Sequence, residues 1–416
     1  MRSLIGNKQL LFLFASNLVV LFVGMGLFPL LPLYATQFGA TRTVIGIYYA
    51  VMYTASVLGT MATGWLARRV PPRDLFIAAG ALGVAALALL GQATALWQVV
   101  LFTAAIWFGG AITIPLVGVF TGLVADGDNR GKSFTMMYLA FPLGAVFGGT
   151  TVGQLVAWQG YSVMFAVLAA VWAILPVIGL LGLRDERFSR PTSSAEKKTE
   201  RSAPLGRTFY LLLAAFLLSA TAINVGRLGT SLSMQNFNFS ASAVSSTATV
   251  SGLVAIPITI LIGALADRLG HRRLLTAGYL LAGGGALALV TATQLWQFWL
   301  AATLMLVAFV TNMSVASAFA TSILEPRALS RGLPMINVMD SVASIASFAG
   351  AGFVMDTFGA TPLFLTAAGL AVVAVVQLSQ LGRGRSHGTT GFTIRKVANR
   401  IANRPAFRHG GISAGH

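Results

Sequence analysis

The sequence predicts an all-α membrane protein of twelve transmembrane helices, arranged as two pseudo-symmetric six-helix bundles. Three observations carry that prediction. Of the 416 residues, 56% are hydrophobic and only 9% charged, with a mean hydropathy of +0.79. A water-soluble chain carries about 25% charged residues, so this one could not cover itself in polar surface. Its apolar residues fall into twelve runs near the roughly 20 residues a helix needs to cross a bilayer. The chain also repeats itself. Gly64-Trp65-Leu66-Ala67-Arg68-Arg69 returns as Gly263-Ala264-Leu265-Ala266-Asp267-Arg268, and positions 64 and 263 differ by 199. The same offset of 199 carries Leu96-Trp97-Gln98 onto Leu295-Trp296-Gln297, Asp126 onto Glu325, and Gly153, Gly160 and Phe165 onto Gly352, Gly359 and Phe364. Two homologous halves flanking a central pathway are the architecture of many secondary transporters.

The runs of the first half are 9–35, 43–67, 74–95, 97–124, 132–157 and 160–183. Those of the second are 208–233, 243–266, 274–293, 296–324, 333–356 and 359–382. Continuous runs exclude a β-barrel, whose strands alternate over about ten residues. Pro29 and Pro32 in the first span, Pro115 in the fourth and Pro257 in the eighth should bend or locally open their helices. In the fifth span Gly144, Gly148, Gly149 and Gly153 form overlapping small-xxx-small pairs suited to close helix contact. The polar stretch 184–207 reads as a flexible linker between a bundle at 1–183 and a bundle at 208–382. A basic tail follows at 383–416. Within it Ile394, Val397, Ala398 and Ile401 share one helical face, with cations around the other. That stretch either lies on an anionic bilayer surface or is a disordered solubilising tail. The first apolar run is too long for a cleavable signal and reads as the first span.

A net charge of +17 could point to nucleic acid, but its distribution points to the membrane instead. Sorted by these spans, all but Arg42 and Arg227 of the 28 Lys and Arg fall on one side, in the termini, the linker and alternate loops. Lys and Arg concentrate in cytoplasmic loops, so both termini are expected in the cytoplasm and the chain in the cytoplasmic membrane. Trp97, Trp158, Trp296 and Trp299 gather at the other interface as an aromatic belt. There is no cysteine, so disulfide and thiol chemistry are excluded. No P-loop, metal-ligand spacing or nucleophile–base pair occurs, and the chain reads as a non-enzyme without cofactor or metal.

The acidic residues can be sorted completely. Asp74, Asp126, Asp128, Asp185, Glu186, Glu196, Glu200, Asp267 and Glu325 belong to the basic side, and Asp356 to the far end of span eleven. Asp340 alone lies well inside the bilayer, with Asn337, Ser341 and Ser344 beside it. An intramembrane carboxylate is a functional-site candidate by default, so Asp340 is the candidate proton carrier. The alternative is a structural carboxylate paired with a helix or a hydroxyl. Arg227 is the matching intramembrane cation, but counting residues from the span ends separates it from Asp340. It is expected near the far mouth, where it could meet an anionic group.

The loop after span two resembles the signature of the major facilitator superfamily, G-x-L-A-D-R-x-G-R-[RK]. The second copy matches it at Gly263, Leu265, Ala266, Asp267, Arg268, Gly270, Arg272 and Arg273. The first keeps Gly64, Leu66, Ala67 and Arg69, with Arg68 and Pro71 as departures. The lead-in from Phe28 to Gly46 resembles the twelve-span drug–proton antiporter branch. Two of that branch's features are missing: a cation in span four, and the G-P-x-x-G-G spacing in span five. The resemblance implies that Arg69–Asp126 and Arg268–Glu325 links help close the inner gate, with Gly64 permitting close approach; simple capping of helix ends is the alternative. It also places spans one, four, seven and ten at the centre. That brings Asn17, Met25, Phe28, Trp107, Asn224, Arg227, Asn312 and Met313 forward as cavity lining, joined by Tyr49, Tyr53, Tyr138 and Asn337. An apolar, aromatic and Met-rich lining suits a hydrophobic or amphiphilic solute. The expected function is secondary transport by alternating access, as proton-coupled efflux of amphiphilic or multidrug type. The alternatives are uniport or symport of a small metabolite or organic anion, and a scaffold without transport. The expected partners are a small-molecule substrate, protons and the lipid bilayer, without nucleic acid, and a monomer is expected.

Overall fold

The computed structural model describes residues 8–124, 130–183, 205–325 and 328–380, with side chains except at 130–135, 263, 267 and 330. The linker from 184 to 204, the tail from 381 and Asp126 lie outside the described residues. In the first half the helices are α1 (Lys8–Leu27), α2 (Leu31–Thr36), α3 (Arg42–Leu66), α4 (Pro72–Leu90), α5 (Leu96–Val124), α6 (Arg130–Trp172) and α7 (Ile174–Leu181). The second half holds α8 (Gly206–Asn236), α9 (Ala241–Leu269), α10 (His271–Val290), α11 (Leu295–Ile323), α12 (Leu329–Thr357) and α13 (Ala360–Gln380).

Eleven helical stretches are long and apolar enough to cross a membrane, and the longest, Met136–Leu181, runs through α6 and α7 for 46 residues. At 1.5 Å per residue that is about 69 Å, more than twice a hydrocarbon core of about 30 Å. It turns back at Gly160, whose φ of 79° and ψ of 177° are open to glycine alone. One stretch therefore supplies two crossings, and the described residues make twelve. The chain is an integral, multi-pass, all-α membrane protein.

The internal repeat of the sequence becomes a two-fold relation in space. The tight turn at Gly160 is repeated at Gly359, where φ is 87°. Thr41 caps α3 by accepting from the Val44 amide, and Ser240 caps α9 by accepting from that of Ala243. Arg73 donates to the carbonyls of Gly179 and Leu180 at 2.9 and 2.6 Å, and Arg272 donates to that of Ser379 at 2.6 Å. Each of these pairs is related by the offset of 199. Gln235 and Thr36, themselves 199 apart, meet across the halves at 2.8 Å.

The halves are fastened at the face opposite the basic loops. There Arg42 donates to Asn236 at 2.7 Å, and the amide and hydroxyl of Thr43 both donate to Asp356 at 2.6 Å. Along α6 and α9, Ser245 donates to the Gly149 carbonyl at 2.6 Å, and a Cβ on Gly153 would lie 2.9 Å from the Ala241 carbonyl. The symmetry copy runs along α3 and α12. A Cβ on Gly352 would sit 3.0 Å from the Gly46 Cα and against the Arg42 carbonyl. Close backbone approach of this kind is what small residues in a membrane helix permit. The α6 glycines divide the work, Gly144 and Gly148 against α1 and Gly149 and Gly153 against α9.

Candidate functional site

Between the halves lies a cavity of about 320 Å³ whose walls are mostly aromatic and aliphatic. It reaches from Phe28 and Arg227 towards the basic face as far as Thr60 and Pro115. A smaller cavity of about 60 Å³ lies on the other side of Met25, Phe28 and Arg227, with Thr230, Ser231, Thr247 and Ser251 in its wall. Those three side chains stand between the central space and the closed face.

Arg227 projects from α8 with its guanidinium carbon 4.2 Å from the ring centre of Phe28 and 5.3 Å from that of Phe309. A desolvated guanidinium gains from such ring faces, which hold it without neutralising it. Phe28 is braced in turn. It meets Tyr49 edge-on at 5.1 Å and Phe348 at 6.0 Å, and the Tyr49 hydroxyl donates to its carbonyl. Tyr53 packs on Phe348 at 4.9 Å, and Phe141 stacks on Phe309 at 5.4 Å. The aromatic girdle thus draws on both halves, with Arg227 at its centre.

Arg227 and Asp340 stand at different depths and form no ion pair. Tyr53 stands with Arg227 in the cavity wall. The residue count from the helix ends, 236 for α8 and 357 for α12, leaves the two Cα atoms about 12 Å apart in depth. Among the described residues no carboxylate closes to ion-pair distance on Arg227, and one carboxyl oxygen of Asp340 is buried without a protein partner.

Met25, Phe28, Tyr53, Trp107 and Arg227 stand in the cavity wall. Other candidates sit elsewhere. Tyr49 is buried behind Phe28, and the Asn17 amide donates to the Met137 carbonyl at 2.8 Å, tying α1 to α6. Asn224 donates to Ser344 at 3.0 Å and ties α8 to α12. Asn312 is buried without a protein partner, Met313 packs on the core of the second half, and Tyr138 and Asn337 are exposed. The cavity adds Ser56, Thr60, Phe141, Trp172 and Phe309. Ser56 and Thr60 continue the stripe of Tyr53 at helical spacing, a signal the sequence did carry.

The loop motif is open in this conformation. Gly64 has no atom within 4 Å of an added Cβ, so it permits no close approach here, contrary to its expected role. Arg69 stacks on its own Trp65 at 4.0 Å, and its expected partner Asp126 is outside the described residues. Arg268 and Glu325 are exposed and form no ion pair with each other. The backbone of Gly263 and Asp267 is helical, and the Asp267 side chain is outside the described ones. Arg272 fastens the end of α13.

The sequence profile of the Major Facilitator Superfamily matches residues 13–233 and 211–408, one copy over each half. The chain belongs to that superfamily. It is a transporter and not an enzyme. Among solved structures, a point mutant of the nucleoside transporter NupG superposes with a TM-score of 0.75 at 15% identity, covering 91% of this chain and 100% of that one. A point mutant of the peptide transporter POT superposes with a TM-score of 0.74 at 16% identity, covering 90% and 95%. The POT family transporter PepTSo gives 0.72 at 15%, covering 90% and 98%. At such identities the likeness is one of fold. No protein of curated function matches the sequence. The drug–proton antiporter branch suggested by the first span finds no support among these neighbours.

Proposed function

We propose that this chain is an alternating-access secondary transporter of small amphiphilic solutes, coupled to protons through Asp340. One observation carries the reading: an aromatic cavity between the halves holds one unneutralised guanidinium, and Asp340, deep in its span, keeps a buried carboxyl oxygen without a protein partner. Aromatic walls take the apolar body of a solute, and the few polar groups orient it. Burying a charge in a membrane protein is costly, and a carboxyl that binds and releases a proton during the cycle meets that cost in only part of it. A second reading is favoured by Arg227 itself. An organic anion could complete the charge that no carboxylate completes at ion-pair distance among the described residues.

The test is flux in proteoliposomes with and without an imposed pH gradient. Asp340→Asn should abolish uphill accumulation while solute binding and downhill exchange survive. Uphill transport by that variant with wild-type pH dependence would remove Asp340 as the carrier. A wild type indifferent to the pH gradient would leave uniport. The resemblance of the first span supports export as the direction, and the same assay reads it. We further place the basic face in the cytoplasm, from the Lys and Arg distribution. The fastened face is then the outer one. Reporters fused after Ser193 and at the C-terminus should both read cytoplasmic; an outside signal from either alone would overturn the helix count, and from both would reverse the orientation.

A further inference from the structure

Hydroxyls inside these helices are routinely satisfied by their own backbone. Ser16, Thr63, Thr121, Thr221 and Thr230 all donate to the carbonyl four residues back, at 2.7 to 2.9 Å. Seven buried side-chain atoms among the described residues have no protein partner, and five of them belong to Ser219, Tyr279, Asn312 and Asp340. Ser219, Tyr279 and Asn312 are each at most 1% exposed.

The helix registers bring these residues to one level of the second half. α8, α10 and α11 meet where the end of Met305 fills the space against Gly226 and Gly285. Seven residues, or two turns, nearer the basic face the same junction is built from Ser219, Asn312 and Gly278. A Cβ on Gly278 would lie 2.9 Å from Thr311, which confirms that register, and Tyr279 follows Gly278. Asn312 thus occupies the place that Met305 fills one layer out. α12 joins through Asn224 and Ser344, which bond across parallel helices at 3.0 Å. One turn back along both, Asp340 comes level with Ala220, next to Ser219.

The fold does not require this polarity. The first half builds the same layer from Val20, Gly80, Thr113 and Phe141, each 199 positions earlier, and there Thr113 bonds its own helix at 2.9 Å. We infer that the second half binds internal water at a polar layer of Ser219, Tyr279 and Asn312 that ends beside Asp340. The chemistry of the set selects water over a cation. The amide nitrogen of Asn312 is a donor, and the hydroxyls both donate and accept. A buried water typically makes about three hydrogen bonds to otherwise unsatisfied groups, which this layer can supply. Its role, which rests on the proton reading above, is to hydrate Asp340 from within the bundle when the cavity is occupied by solute.

The test is a structure of the full chain in lipid, at a resolution that shows ordered water, for the wild type and for Asn312→Leu. Water density joining Asn312 to Ser219 or Tyr279, lost in the variant, is expected. A dry layer, with the Asn312 amide bonded directly to helix carbonyls, overturns the inference. Should Asn312→Leu not fold, Asn312→Ser keeps a hydroxyl and must show water where the amide was; a dry site there is equally fatal. In flux assays Asn312→Leu should slow pH-driven accumulation with solute binding unchanged, and wild-type drive would overturn the link to Asp340. A wild type with no pH dependence sinks the Asp340 reading but leaves the water density standing, so the two failures are distinguishable.

Discussion

A guanidinium on a ring face gains about 0.5 to 2 kcal/mol, more as water is excluded. Arg227 has two such rings, Phe28 from the first half and Phe309 from its own. Lysine would keep the charge but lose the planar fork that stacks on rings and grips a carboxylate at two points. Arg227→Lys should therefore weaken binding of an anionic aromatic solute by roughly fivefold, a loss of about 1 kcal/mol. Thermal-shift titration of the purified variant against such solutes checks this, and unchanged affinity would mean that Arg227 does not touch the solute. Arg227 and Asp340 were visible in the sequence as the charges that an apolar span cannot ignore. How each is held was not visible, because a count of residues per helix carries no packing: rings from both halves grip Arg227, and Asp340 keeps a buried oxygen without a protein partner. Asn17 and Asn224 show the same limit. A polar residue in a span announces that it needs a partner, and only packing reveals that the partner is another helix rather than a ligand.

Helix-to-helix contacts set which face of the transporter is closed, and they rest on glycines whose Cβ would have nowhere to go. A side chain at Gly352 would press on the Arg42 carbonyl and the Gly46 Cα, both backbone and unable to swing aside. Gly352→Val should hold α3 and α12 apart at the face away from the basic loops. Because the chain contains no cysteine, a single one at Asn236 reports on that face without background. Its labelling by a membrane-impermeant maleimide should rise in Gly352→Val. It should stay at the wild-type level in Gly284→Ala, where an added Cβ meets nothing within 4 Å. Equal labelling in both would separate closure from this contact. The small-residue pattern in span five was legible because its spacing places pairs on one helical face. The division of those glycines between two partners was not, since spacing carries no direction.

The internal repeat was the most legible feature, for a physical reason: equal offsets between distant positions imply equal environments. Caps, tight turns and arginine clamps all obey the offset of 199 in space. The conformation adopted was not legible, because two states of one chain differ by a small free energy that no local pattern encodes. The motif on the basic face illustrates this. Arg268 and Glu325 are apart while the opposite face is fastened, so any pairing between them belongs to the alternative state. An interaction present in one state only shifts the balance by its own free energy and no more. An exposed pair is worth about 0 to 1 kcal/mol, so its loss should favour the present state by at most about fivefold. Glu325→Gln is accordingly expected to raise labelling of a single cysteine placed at Thr60, in the cavity wall towards the basic face. The rise should be partial and should shrink with salt, as an exposed ion pair demands. No change in a variant that folds and transports would leave Arg268 and Glu325 as helix-end residues without a gating role, and the balance between states would then rest on the glycine contacts of the opposite face alone.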